Sequence, residues 1–369
     1  MIITIIAFIV IFSILILAHE WGHFTAARQA GIKVEEFGIG LPPKAKVLRK
    51  DKHGTEYTLN WIPFGGFVRL YGEDSTDSKT LKDKHSFASK SAWKRTTVIV
   101  AGVLMNFVLA WLLITIGFTI GMKPFLATQG DIDRAVSSGV VETKKVFFVH
   151  DIDSAFPLAK TELKKGDSIT AVNGAPVTEK LDLAQAIKPD STVALSYLHE
   201  GKEKSFQVQS NALGKLGMTI SLEDFVVKVN EIRYPIYEAP FHAAFEVWRL
   251  SGLTIVMLGN VVTTLVTKLA VPAGVAGPVG IAKMTHTFAM QGFMALVQFT
   301  AMLSISLGVI NIMPFPALDG GRLLFILFEV ALRRRLSAKW ETIAHTTGYA
   351  LLMLLILAIT WNDIWNLFH

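Results

Sequence analysis

The sequence predicts an α-helical polytopic membrane protein: four transmembrane helices, with a small β-rich domain inserted between the second and third. Three observations predict it. The 369 residues are 51% hydrophobic and only 18% charged, against about 25% charged in ordinary soluble domains. Several uncharged apolar runs approach the ~20 residues that cross a hydrocarbon core about 30 Å thick. Basic residues gather between those runs, where they report topology. The net charge of +6 therefore implies no nucleic-acid partner, and no Lys/Arg stripe interleaved with aromatics suggests one. Cysteine is absent, so disulfides and Cys-ligated metals are excluded and any metal must be held by His, Asp or Glu.

The first span is residues 1–29. No Lys or Arg precedes the apolar run and no small-x-small cleavage site follows it, so it reads as a retained helix, not a signal peptide. Residues 30–96 are a basic loop running from Lys33 to Arg95, and 97–121 form an uncharged second span. A further basic cluster, Arg333-Arg334-Arg335, lies in a short loop (333–342) between the third span region (293–332) and the fourth (343–369). The positive-inside rule puts both basic loops in the cytoplasm and 122–246 outside. Within that outer region a small β-rich domain occupies about 141–210, with Lys165-Gly166-Asp167 and Asn173-Gly174 as turn signals. Its order is strand, turn, strand, a helix over 179–187, then a strand pair around Glu200-Gly201-Lys202. It reads as a small barrel without catalytic residues of its own. Residues 247–292 are read as amphipathic helices on the outer surface, because Arg249, Gly252, Gly259 and Asn260 interrupt the apolar run at 247–266.

Two motifs carry chemistry. The first span ends in His19-Glu20-Trp21-Gly22-His23. A charged group at mid-bilayer costs roughly 2.5–3.5 kcal/mol on insertion scales, so function is the better reason for it. Positions four apart share a helix face, so His19 and His23 can hold one Zn²⁺ while Glu20 takes a proton from the water it activates. The plain alternative is a buried His pair satisfied by backbone carbonyls. A catalytic zinc usually has three protein ligands, and the candidate third is Asp319 in Asn311-Ile312-Met313-Pro314-Phe315-Pro316-Ala317-Leu318-Asp319-Gly320-Gly321. The prolines break a helix, and irregular backbone at membrane depth is tolerated only where protein buries it or it lines a wet cavity. A helix cap is the alternative for Asp319. Depth favours pairing the motifs. His19 is about 27 Å from the outer end at roughly 1.5 Å per residue, and a third span running inward brings Asp319 to that same cytoplasmic side. A fifth span would send it to the other.

HEWGH and NIMPFPALDGG together resemble the motifs of the site-2 protease family of intramembrane zinc metalloproteases. The nearer resemblance is to its bacterial regulated-intramembrane-proteolysis branch, which cleaves anti-sigma factors. FGIG (37–40), GGFVRLYGE (65–73), FASKSAWKRTTVIVAGVLMNFVLA (87–110) and GPVGIA (277–282) follow the same pattern. The outer domain resembles a single PDZ domain, through LKKGDSITAVNGAPV (163–177). The resemblance implies that His19, His23 and Asp319 bind one Zn²⁺ and that Glu20 is general base and acid. It implies that Asn311 contacts substrate backbone, where a helix–helix hydrogen bond is the other reading. It makes 65–73 a membrane-associated β-hairpin, so that Gly65, Gly66, Phe67, Val68 and Arg69 pair with an unwound substrate by strand addition. Thr161-Glu162 stands where the PDZ signature has Ala-Gly, which weakens carboxylate capture in its groove. Val103 stands where the family often has proline.

The function expected is cleavage of single-span membrane proteins within the bilayer of the cell (inner or plasma) membrane, after a first cut outside. The PDZ domain then acts as size filter or docking platform for a peptide. Two alternatives stay open: another HExxH membrane protease, and a PDZ-bearing scaffold whose metal is structural.

Overall fold

The computed structural model describes residues 2–73, 80, 82–178, 186–199, 202–268, 275–334 and 338–368. Two units follow from its internal contacts: Met1–Met122 with Arg233–His369, and Lys123–Ile232.

In the first unit, two apolar runs free of proline form long helices, α1 (Ile2–Gln29) and α2 (Ala92–Ile120). Helix α2 begins five residues before its charge-free stretch because the Ser91 side chain accepts from Lys94 N and caps it. The two helices cross with almost no side chain between them. A Cβ on Gly22 would lie 2.2 Å from Ala101 O, so small residues set the approach. Between them lie β1 (Val34–Lys50) and β2 (Glu56–Leu70). Phe37 pairs with both Val68 and Tyr57, and Val47 pairs with Thr58. The two long strands thus curl into four antiparallel runs, in the order 44–50, 56–60, 34–39, 66–70. This is more sheet than the hairpin expected at 65–73. Repeated register shifts break the period-two alternation that marks a strand in sequence. Gly40 and Gly65, at φ +80° and +73°, take backbone that other residues resist at these reversals.

The second unit holds α3 (Gln129–Ser137), closed by a capping box between Thr128 and Asp131. A six-stranded sheet follows: β3 (Val141–Ile152), β4 (Ser168–Val172), β5 (Ala175–Pro176), β6 (Thr192–His199), β7 (Lys202–Gln209) and β8 (Met218–Val229). The order is β7-β6-β4-β3-β8, with β5 on β4. The path has two ends, so among the described residues the expected barrel is an open sheet. The unit, Lys123–Ile232, lies within the outer region 122–246 and adds α3 and β8 to the β-rich stretch read at about 141–210. The Asn173-Gly174 turn forms as read, both residues at positive φ. The helix expected over 179–187 and the turn at 200–202 fall largely outside the described residues.

Returning to the first unit, α4 (Ala239–Lys268), α5 (Pro278–Gln291), α6 (Phe293–Ile312), α7 (Asp319–Leu332) and α8 (Ala338–Phe368) follow. Helix α4 is continuous through Gly252, Gly259 and Asn260. Each glycine costs about 1 kcal/mol relative to Ala, too little to end a 30-residue helix packed on its neighbours. Arg249 donates to Glu246 (2.9 Å) one turn earlier, which removes the isolated charge. Five helices, α1, α2, α4, α6 and α8, are long and apolar enough to cross a membrane; four of them are those expected, and α4 is the added candidate. Helix α4 has the lowest mean hydropathy, 1.3 against 2.9 for α1, which is why its residues read as a surface helix. Helices α1, α2 and α6 form the centre of the unit, where Ile11, Leu15 and Phe299 pack together. A second apolar cluster, including Phe24, Val34, Phe37, Leu70 and Val98, ties the small sheet to the ends of α1 and α2.

Candidate metal centre

The C-terminal half of α1 places His19 and His23 one turn apart, as its 3.6-residue period requires, with Glu20 next to His19. Asp319 arrives from a loop. Pro314 and Pro316 end α6, Ala317 turns through φ +80°, and Leu318 caps α7, of which Asp319 is the first residue. The glycines that follow allow this tight closure. A Cβ on Gly320 would fall 2.1 Å from Met313 O, and one on Gly321 2.3 Å from Phe315 O.

The loop brings the three side chains together. His19 Nε2 and His23 Nε2 are 3.1 Å apart, and Asp319 Oδ2 lies 3.0 Å from the first and 3.2 Å from the second. Four ligands at about 2.0 Å around one tetrahedral ion stand roughly 3.3 Å from one another, so this triangle has the dimensions of a zinc face. Asp319 Oδ2 is buried without an aligned hydrogen-bond donor, a costly state for a carboxylate unless a cation faces it. Among the described residues this is the one His/Asp/Glu group with converging donor atoms.

Supporting contacts fix which nitrogen faces the triangle. His23 Nδ1 lies 2.9 Å from Val98 O. A carbonyl only accepts, so Nδ1 carries the proton and Nε2 the lone pair. His19 Nδ1 meets the side-chain amide of Asn106 at 3.2 Å. Half a turn of that amide sets Oδ1, otherwise without a partner, against Nδ1–H and leaves His19 Nε2 free to ligate. Asn106 is fully buried on α2, and its own carbonyl accepts from Ser304 Oγ (2.8 Å) on α6. Gly102, one turn before Asn106, gives His23 its space: a Cβ there would lie 2.3 Å from His23 Nε2.

A cavity of about 920 Å³ opens on the triangle, lined by His19, Glu20, His23, Val68 and Asp319. Glu20 Oε2 accepts from Val68 N at 2.9 Å, so the run 66–70 is anchored beside the HExxH helix. The cavity is charged further out, where Arg322 pairs with Glu73 and Arg95 with Glu329. Such a space suits water and a peptide.

The other expected residues divide. Val68 reaches the cavity. Gly65 and Gly66 instead pack on Ile16 and Leu17 of α1, and Arg69 pairs with Glu36 at 3.3 Å and stacks over Phe67. Asn311 sits in the last turn of α6 and is not among the residues lining the cavity. Sequence reading missed Asn106, Gly102 and Arg322. Asn106 alone carried a signal: it is a lone amide inside an uncharged span.

Comparison with known proteins extends this geometry to the whole chain. Residues 7–355 match the model of peptidase family M50. The regulator of sigma-W protease RasP of Bacillus subtilis is 28% identical, with 99% of each chain covered. Zinc metalloprotease RasP of Bacillus licheniformis is also 28% identical over 99% of both chains. With two converging motifs and a match running from the first helix into the last, the chain belongs to peptidase family M50, the site-2 protease family, and is a multi-pass membrane zinc metalloprotease.

Proposed function

We propose that His19, His23 and Asp319 hold the zinc, that Glu20 is the general base and acid, and that the protein cuts single-span membrane proteins inside the cell membrane. The carrying observation is the triangle of donor atoms with Glu20 in the same cavity. Zinc bound there supplies Lewis acidity, which activates water and polarises the scissile carbonyl. The chain does the rest. His23, through Val98 O, and His19, through Asn106, present lone pairs in fixed orientation. Glu20, aligned by Val68 N, takes the proton from the attacking water and passes it to the leaving amine.

A helical substrate hides its carbonyls, so cutting requires an extended segment. The run 66–70 is an edge of the small sheet at the cavity, which supports pairing with such a segment. A membrane-associated position for the neighbouring part of β2 is supported by the Phe64 ring, which stacks on Phe8 (5.8 Å) and Phe12 (5.3 Å) of α1. These two positions lie two to three turns from His19, toward the apolar end of the helix.

Four net crossings remain the reading for topology. Tyr234 N donates to Phe118 O near the end of α2. After α4 the chain meets Asp363 near the end of α8, through Gly280 N at 2.7 Å. Thr4, at the start of α1, meets His286 of α5. These joins support a segment 234–291 that begins and ends on one side, the outer one, and so leaves His19 and Asp319 at one depth toward the cytoplasm. The inserted β-rich unit is then an extracytoplasmic PDZ domain, serving as filter or docking platform. A signalling protein of the anti-sigma kind, trimmed outside first, fits the resemblance to a sigma-regulating protease. Glu20→Gln tests the mechanism: it should keep one zinc and abolish cleavage of a reconstituted single-span substrate. Cleavage at the wild-type rate would refute it.

A further inference from the structure

The third ligand rests on an unusual piece of backbone. Ala317, two residues before Asp319, adopts φ +80°, a left-handed conformation that a residue with a Cβ resists. Something must hold it, and the contacts come from the last helix. The His345 Nδ1 on α8 accepts from Ala317 N at 3.0 Å. One turn further along α8, Gly348 lies against Pro316: a Cβ there would stand 2.5 Å from Pro316 O. The Phe325 ring of α7 packs on the imidazole, with centroids 5.4 Å apart. One face of α8 therefore grips the two residues that aim Asp319 at the histidines.

We propose that His345 is a positioning residue for the metal, holding the Ala317 N–H so that the Asp319 carboxylate stays turned toward His19 and His23. This rests on the metal reading given above. It makes the last helix, remote from both motifs, part of the device that fixes the third ligand. A misplaced carboxylate binds zinc more weakly, because partners that orient a ligand typically govern affinity by 10- to 100-fold.

The test is zinc release from the purified full-length protein to a chromogenic chelator. His345→Ala should release zinc at least tenfold faster than wild type. His345→Asn, whose Oδ1 can take the place of Nδ1 as acceptor, should release it close to the wild-type rate. Ala317→Gly, which removes the left-handed penalty, should restore part of the loss when added to His345→Ala. A general packing role for His345 would not give that rescue. Equal release from wild type and His345→Ala, or equally fast release from the Asn and Ala variants, would overturn the role of His345. Zinc retained after His19→Ala would overturn the site itself, and the two failures are thereby separable.

Discussion

Gly102→Ala adds one methyl group at the crossing of α1 and α2, and it should disable the site with every ligand residue left in place. The new Cβ would stand 2.3 Å from His23 Nε2, 2.4 Å from Cε1 and 2.7 Å from Cδ2. Ordinary contact is about 3.5 Å, so ring and methyl must separate by roughly 1 Å. The helices cannot spread cheaply, since Gly22 already meets Ala101 backbone. The ring cannot swing without giving up its bond to Val98 O. Overpacking of this kind typically costs 1–3 kcal/mol, which leaves a folded protein. A displacement near 1 Å at a metal ligand, by contrast, is of the size that costs on the order of 100-fold in rate. Zinc content of the purified variant and cleavage of a reconstituted single-span substrate provide the assay, with detergent-solubilised melting as the check on folding. A variant that melts like wild type, holds one zinc and cleaves at the wild-type rate would refute the close crossing.

Asn106→Leu keeps the volume and removes the amide that orients His19. Zinc affinity should fall 10- to 100-fold, measured by competition with a chelator, and Asn106→Asp should lose less than Leu. Gly320→Ala would place a Cβ 2.1 Å from Met313 O and should unseat Asp319. Loss of zinc with intact helical circular dichroism is the expected result. Asp51, in the turn between β1 and β2, titrates low. Burial pushes its carboxyl up, but the bond from Arg28 and the N–H groups of Thr55 and His53 outweigh burial, and together they bring it from 3.8 to about 2. A folded value below the unfolded one means that this link stabilises the small sheet fully above about pH 4 and fades as pH falls through about 2. Protection of sheet amides against exchange should hold from neutral pH to about 4 and drop below it, and Asp51→Asn should abolish that dependence.

The parts legible in sequence are those whose signal is local. HExxH needs only the period of one helix, and two prolines with two glycines mark a broken segment wherever it lies. So His19, Glu20, His23 and Asp319 could be named before any contact was known. What was not legible depends on where two segments meet. Gly102 is an ordinary small residue until α1 crosses at Ala101, and His345 is an ordinary helical histidine until the loop at Ala317 folds against α8. Asn106 stood out as an amide among apolar neighbours, yet its partner is fixed only by the α1–α2 contact. The curl of 34–70 hid behind bulges that disrupt alternation. Helix α4 read as a surface helix because Arg249, Gly252, Gly259 and Asn260 interrupt its apolar run, and its glycines face open space, where the missing side chains cost little.

X-ray absorption at the zinc edge of the purified wild-type protein and of Asp319→Ala addresses the shared ion most directly. Two imidazole nitrogens and one carboxylate oxygen at about 2.0–2.2 Å are predicted for wild type, with zinc lost or strongly depleted in Asp319→Ala, as in His19→Ala. One tightly held zinc per chain in Asp319→Ala, with an unchanged ligand shell, would contradict the joining of the two motifs on a single metal.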